Sequence, residues 1–435
     1  MNWQVIERIM PRRLYNLCCG CYNNFRVARG QYLTERNRIV RTYCNEKMRI
    51  VFIVERTEVF NSVRSVFEAA VANDECEVYL LPLPRCAIED KELLWDTYAS
   101  VVEFCQQLCG GKVINTYDFE TETYYDLTEL MPDYIFLNVP YTSEYPDVYS
   151  MEKLALISKV CYVPYGYAMP NEKKYSGLYA SSFYADFMKY ISFLFADGDV
   201  SYSYCKKNRM WLTELLFGKR LYNIGYPRFD TIDVHEVQPM GNTILWLPRW
   251  TAAKQIENGN LSSHFFEYSD SLLEYVDGQD YYRLVIRPHP LMFDNYIEYG
   301  LMSEQDVLLY KEVMNNNGKF SLDENSSYDD AFNTADVLVT DYSSTIIEFV
   351  LRGKPVIFCG KRGELSAQIA DVTKTFYYVN GWEQLKKVLD DFKEGIDPLK
   401  EKRRMAVGKF KEGTQNAGEE ILNVLRKNYL SFKGK

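Results

Sequence analysis

The sequence predicts an α/β protein with two Rossmann-like halves, and three observations carry that expectation. Short apolar runs alternate along most of the chain with segments of helical apolar spacing, the pattern of strands joined through helices into parallel sheets. The 435 residues exceed what one ordinary core holds, so two domains are expected. The stretch from Asp336 to Cys359 contains one complete unit. An apolar run at Val337 to Thr340 ends in the polar turn Asp341, Tyr342, Ser343, Ser344, and Ile346, Ile347, Val350 and Leu351 follow at helical spacing. Gly353 closes that helix and a second strand follows at Pro355 to Phe358.

In the first half, Arg49 to Val54 (RIVFIV) is apolar enough for a buried strand, and Val59 to Ala72 places Val63, Val66, Phe67 and Ala70 on one helical stripe. A strand at Val78 to Leu83, a helix at Leu93 to Leu108, and strands at Lys112 to Asn115 and Tyr134 to Leu137 continue the alternation. No GxGxxG follows any of these strands, so this half lacks a dinucleotide fingerprint and is expected to hold an acceptor. Strands at Val160 to Val163 and Phe193 to Ala196 end in polar or Pro-Gly loops, including YVPYGYAMP at 162 to 170. Gly and Pro break the pattern at Asn223 to Asp230 (NIGYPRFD), where the interdomain crossing is expected. A second series runs through Thr243 to Leu247, Leu284 to Ile286, Asp336 to Thr340 and Pro355 to Phe358. After about residue 400 the chain is charged and helical, with Ile421, Leu422, Leu425 and Tyr429 as a packing face. The expected domains are residues 1–46, 47–224, 225–400 and 401–435: a basic segment, an acceptor half, a nucleotide-donor half and a crossover helix.

Composition excludes several classes. With 47% hydrophobic and 15% aromatic residues the chain is globular, and no apolar run reaches the ~18 residues of a membrane span. No secretory signal pattern is visible, so a cytoplasmic location is expected. Eleven scattered cysteines fit reduced thiols, and Cys18, Cys19 and Cys21 lack a second pair at zinc spacing; neither a metal nor a cofactor is expected. A net charge of −10 argues against nucleic acid as a partner. That charge is uneven: residues 1 to 50 hold ten Lys or Arg against three Glu, a net +7. Trp3, Ile6, Ile9, Met10, Leu14 and Leu17 lie among those arginines, which suits contact with an anionic membrane surface. A solvated basic arm or a helix docked on its own protein is the alternative, and Pro11 is expected to interrupt any single helix there.

Three motifs of the second half fall just after expected strands: Pro248-Arg249-Trp250, Arg287-Pro288-His289-Pro290 and the turn Asp341 to Ser344. Ligands bind at the carboxyl edge of a parallel sheet, so these distant segments are expected to line one pocket. Arg249, Arg287 and His289 supply positive or donating groups, Ser343, Ser344 and Thr345 supply hydroxyl and backbone donors, and Trp250 supplies a ring face. A helix beginning near Ser344 would add its positive dipole end, and Glu348 is placed to accept from ribose hydroxyls. The bland reading of the serines is a helix cap. Among the three histidines, His289 has the site-like setting, whereas His235 and His264 lie in less patterned contexts and are read as structural.

These residues resemble the CDP-glycerol glycerophosphotransferase family, the teichoic-acid primases and polymerases of bacterial cell envelopes. The resemblance is carried in order by Gly225-Tyr226-Pro227-Arg228 with Asp230, by Leu247-Pro248-Arg249-Trp250, by Arg287 to Pro290, and by Thr340-Asp341-Tyr342-Ser343-Ser344 followed by Glu348. It implies a GT-B architecture, two Rossmann-like domains facing across a cleft, with a final helix crossing back to the first. It implies transfer of an alditol phosphate, most naturally glycerol phosphate, from a CDP-alditol to a hydroxyl of a glycan or lipid-linked acceptor in envelope or capsule synthesis. Rival readings are a GT-B glycosyltransferase using a nucleotide sugar and a non-catalytic assembly partner. His289, Arg287 and Tyr165 are the catalytic candidates. Pro248, Arg249, Trp250, Asp341, Ser343, Ser344, Thr345 and Glu348 are the donor-binding candidates. One departure stands out: where the family carries Trp-His-Gly, this chain has Pro164-Tyr165-Gly166. A phenol with a pKa near 10 is a poor base at neutral pH, though it can orient a substrate. Glu144, Asp147, Asp197 and Asp199 are the carboxylates available nearby in sequence.

Overall fold

The computed structural model describes residues 11–38, 46–86, 93–137, 139–172, 176–232, 241–251, 263–325, 327–414 and 416–432. His235 and the apolar positions Trp3, Ile6, Ile9 and Met10 lie outside them. The chain divides into two compact units, Met1–Gly166 with Gly177–Thr231 and Thr414–Lys435, and Tyr167–Ser176 with Ile232–Gly413.

The first unit is built on seven parallel strands: β1 (Met48–Val54), β2 (Cys76–Pro82), β3 (Lys112–Val113), β4 (Tyr134–Leu137), β5 (Lys159–Tyr162), β6 (Ile191–Ala196) and β7 (Leu221–Asn223), in the order β7-β6-β5-β4-β1-β2-β3. β1, β4, β5 and β6 are almost wholly buried, which explains their unbroken apolar runs. Phe52 of β1 stacks on Phe136 of β4 with ring centroids 4.9 Å apart. The single helix expected at Val59 to Ala72 is instead a 3-10 segment, Thr57–Ser62, followed by an α-helix, Arg64–Val71. Val63 between them has φ −121°, and the Ser62 hydroxyl bonds back to the Val59 carbonyl at 2.9 Å.

The described N-terminal helix, Arg12–Arg36, begins directly after Pro11, whose carbonyl accepts from the Leu14 and Tyr15 amides; the residues before Pro11 lie outside the described ones. The helix docks by a face of small and amide residues, with Gly20, Asn24, Val27, Ala28, Gln31 and Thr34 buried. Asn24 donates to the Lys207 carbonyl at 2.9 Å and Gln31 to the Met188 and Ile191 carbonyls at 3.0 and 2.6 Å. A Cβ on Gly30 would lie 2.4 Å from the Lys189 side chain, so only glycine permits this approach. Leu14, Leu17 and Phe25 are left exposed.

The C-terminal helix Ala417–Phe432 returns to the first unit, and the face expected from Ile421, Leu422, Leu425 and Tyr429 is buried there. Asp230 holds its start: the carboxylate accepts from the Ala417 and Gly418 amides at 3.1 and 2.8 Å and from the Ser65 hydroxyl at 2.9 Å. A Cβ on Gly418 would lie 2.4 Å from the Ser65 backbone, so helix and helix meet through glycine. The Asp of NIGYPRFD is therefore a structural cap.

The second unit has six parallel strands, β8 (Thr243–Leu247), β9 (Arg283–Ile286), β10 (Phe320–Leu322), β11 (Val337–Thr340), β12 (Val356–Phe358) and β13 (Tyr377–Tyr378), ordered β10-β9-β8-β11-β12-β13. Trp246 of β8 stacks on Phe265 at 5.5 Å within its core. The helix after β11 is short, Ile346–Val350, with Thr345 at its cap, so little macrodipole stands behind the serine turn. The two sheets make this a GT-B-like α/β fold. Among the described residues, no helix is long and apolar enough to cross a membrane.

Candidate donor site

Three adjacent strands, β9, β8 and β11, bring the three motifs to one carboxyl edge of the second sheet. The buried carboxylate of Asp341, which follows β11, joins them. It accepts from the Arg249 amide at 2.9 Å and the His264 amide at 3.1 Å, and its second oxygen lies 2.5 Å from His264 Nδ1. Arg249 then donates through Nη1 to the Tyr342 carbonyl at 3.1 Å, and its guanidinium lies over the Tyr342 and Trp250 rings at 5.2 and 5.7 Å. The Arg249 carbonyl is held by the Ser263 and Tyr296 hydroxyls at 2.7 and 2.9 Å, and the Trp250 carbonyl by Asn295 at 2.9 Å. Trp250 sits against His289 with ring centroids 5.7 Å apart, so Pro248-Arg249-Trp250, His289 and Asp341 form one group.

The two histidines differ in protonation. His289 accepts the Leu291 amide on Nδ1 at 3.1 Å, which puts the proton of the neutral ring on Nε2. By surface area the residue is exposed, yet the protein crowding the ring, and then the Arg249 guanidinium, push its pKa down. His289 is thus a neutral imidazole that donates. For His264, burial opposes the charged form, but the hydrogen bond and charge of Asp341, with Glu267 and Glu364, outweigh it and raise the pKa. His264 is an imidazolium candidate beside Arg249. Sequence reasoning missed it because it lies seventy-odd residues from its partner and carries no motif; only the strand order shows the pairing.

Other expected residues are differently engaged. Arg287 donates through Nη1 to Asp323 at 2.6 Å and through Nη2 to the Asn325 carbonyl at 2.7 Å, bracing the loop after β10. Both oxygens of buried Glu348 accept from the Tyr328 hydroxyl at 3.0 Å. Ser343 and Thr345 share a hydroxyl contact of 2.9 Å, and the Thr345 amide donates to Ser343 at 3.3 Å; Ser344 lies half-buried between them. Tyr165 belongs to the first unit, exposed after β5, with its hydroxyl 3.3 Å from that of Tyr141. Of the nearby carboxylates, Asp197 and Glu144 are buried, and Asp199 accepts from Asn223 at 2.7 Å.

The opposite shifts make a pH prediction. His264 has a folded pKa above its unfolded value of ~6.5, so its stabilisation is full below that pH and is lost as pH rises through the folded value. His289 is the reverse: its contribution is present above ~6.5 and is lost as pH falls through the lowered value. Imidazole NMR titration of the full chain is expected to show one histidine titrating above and one below ~6.5. Asp341→Asn is expected to move the upper one down. A His264 resonance unmoved by that substitution contradicts the pairing.

Residues 207–364 match the family model described as CDP-Glycerol:Poly(glycerophosphate) glycerophosphotransferase, a span that includes every donor-side residue above and stops short of Tyr165. No curated protein matches the chain. Among solved structures, the wall teichoic acid polymerase TagF is similar at 13% identity and TM-score 0.54, over 96% of this chain and 99% of that one. A UDP-GlcNAc 2-epimerase from Neisseria meningitidis, bound to UDP-GlcNAc, is similar at 14% identity and TM-score 0.52, over 87% of this chain and 100% of that one. At these identities the structural likeness is one of fold. The family match is one of sequence and is confined to residues 207–364.

Proposed function

We propose that this chain transfers glycerol phosphate from CDP-glycerol to a hydroxyl of a glycan or lipid-linked acceptor, releasing CMP, in synthesis of an envelope or capsule polymer. The observation that carries this reading is the Asp341-centred group inside the family-matched region, where Arg249, His264 and His289 surround one strand edge. A TagF structure soaked with CDPG, similar at TM-score 0.50, supports the choice of donor. The acceptor oxygen attacks the phosphorus that bears glycerol, the bond from that phosphorus to the bridging oxygen breaks with its electron pair left on CMP, and the proton of the acceptor hydroxyl passes to solvent water. Arg249 and His264, whose protonated form Asp341 favours, offset the charge that develops, and His289 Nε2–H donates to a phosphate oxygen. His289 Nδ1 is occupied by the Leu291 amide, so His289 serves as donor and not as the base. Tyr165, paired with Tyr141, is assigned to orienting the acceptor.

The exposed side of the N-terminal helix supports peripheral contact with an anionic membrane. Leu17 and Phe25 are each 58% exposed, and Trp211 and Leu215 on the packed helix Trp211–Phe217 are exposed as well. Lys206 and Lys207 line the same open groove as Leu17, Cys21 and Trp211, so apolar and cationic groups share one face.

Incubation with CDP-alditols and nucleotide sugars tests the reaction. CMP release from CDP-glycerol, with phosphorus entering the acceptor, is expected. His289→Ala is expected to lose ~100-fold or more in kcat while keeping its melting temperature. Release of UDP with a phosphorus-free product supports the glycosyltransferase reading instead, and an alanine variant above half the wild-type rate removes His289 from catalysis.

Sedimentation with anionic vesicles tests the membrane contact without deleting the docked helix. Leu17→Glu with Phe25→Glu is expected to lower binding several-fold at low salt and to leave turnover of a soluble acceptor unchanged. A wild-type chain that stays in the supernatant contradicts it.

A further inference from the structure

The carboxyl edge of the first sheet carries four charged residues that the donor site does not use. Glu55 and Arg56 follow β1, Arg85 follows β2 and Glu144 follows β4, and these three strands are neighbours in the order β4-β1-β2. Arg85 Nε lies 2.9 Å from Glu55 and its Nη2 donates to Glu144 at 3.0 Å. Arg56 Nε lies 3.2 Å from Glu55, and its Nη2 donates to the same Glu144 oxygen. Exposure is layered: the side chains of Glu55 and Glu144 are 0% and 9% exposed, those of Arg56 and Arg85 24% and 36%. The carboxylates form a floor, and the guanidiniums are the open layer above it. None of these contacts uses Nη1 of Arg85.

Burying such a group brings no stability advantage over apolar packing of the same volume, since the desolvation of four charges offsets their attraction. What the arrangement does accomplish is to hold two guanidinium forks side by side against their mutual repulsion. Paired forks suit an oxyanion with several acceptor oxygens. They stand at the sheet edge where α/β folds bind ligands. Burial, reinforced by Glu144 and opposed by Arg56 and Arg85, raises Glu55 to about 7, so near neutral pH the group readily becomes net positive. Tyr141 and Tyr165 lie on the loops after β4 and β5, next along the same edge.

We propose that Arg56 and Arg85, braced by Glu55 and Glu144, form a subsite for a phosphate group carried by the acceptor. This rests on the glycerophosphotransfer reading, whose family description already names a poly(glycerophosphate) acceptor, and adds to it the residues that hold the acceptor's phosphate and so set the preference over neutral acceptors. No covalent step occurs at the subsite, and the phosphate there is bound, not transferred.

Calorimetry of the full chain with glycerol 3-phosphate is one arm of the test, and steady-state kinetics with a phosphate-bearing and a neutral acceptor is the other. Arg85→Gln is expected to weaken glycerol 3-phosphate binding ~10-fold or more, with Arg85→Lys recovering part of it through charge alone. In kinetics, the same variant raises KM for the phosphate-bearing acceptor with kcat kept, and leaves KM for the neutral acceptor and for CDP-glycerol unchanged. Equal binding by wild type and Arg85→Gln overturns the proposal, as does an equal rise in KM for both acceptors, which marks the quartet as structural. If the wild type releases no CMP from CDP-glycerol with either acceptor, the transfer reading fails, and the calorimetric arm still decides the phosphate subsite.

Discussion

The second unit's site depends on one buried carboxylate. Asp341 sits at the end of a central strand, 2% exposed, and accepts from two backbone amides and an imidazole that arrive from other parts of the chain. Hydrogen bonds to a charged group contribute about 1.5–3 kcal/mol each, and a buried carboxylate left unpaired is costly. The start of the Pro248-Arg249-Trp250 loop and the N-terminus of the helix Phe265–Asp277 are therefore fixed to the serine turn by the same residue. Arg249 is directed by that anchor, and through Trp250 the position of His289 follows.

On the proposed reading, phosphate recognition rests on side chains, because a five-residue helix supplies little dipole: the Arg249 guanidinium, the His264 imidazole whose pKa Asp341 raises, and the His289 imidazole that accepts the Leu291 amide on Nδ1. The pKa values of the two histidines shift in opposite directions, because crowding by the protein and then the Arg249 guanidinium lower that of His289, whereas the Asp341 carboxylate outweighs burial at His264. Arg287, next to His289 in sequence, acts at one remove by holding the Asp323–Asn325 loop.

Much of this was legible in the sequence, where burial forces a pattern. The central strands are unbroken apolar runs, and Tyr134–Leu137 and Thr243–Leu247 have the bounds their residues suggest. The edge strands Leu221–Asn223, Phe320–Leu322 and Tyr377–Tyr378 were not legible, because two or three residues cannot display a period. Leu14 and Leu17, read as apolar positions suited to a membrane surface, are exposed, and the docking of the N-terminal helix was not legible because it uses glycines and side-chain amides whose hydrogen bonds leave no apolar signal. The motif residues Arg249, His289 and Asp341 were found from chemistry and strand position. His264 and the Glu55–Arg56–Arg85–Glu144 group were not, since each is assembled from separate loops and has no local signature.

The most direct test of the central claim is calorimetric titration of CDP-glycerol into the wild type and Asp341→Asn. Asparagine keeps the shape but removes the charge that raises the His264 pKa. The account predicts CDP-glycerol binding by the wild type, weakened ~10-fold or more in the variant while the melting transition of the chain persists. Equal affinity in the two proteins would show that the Asp341-centred group does not organise a diphosphate site.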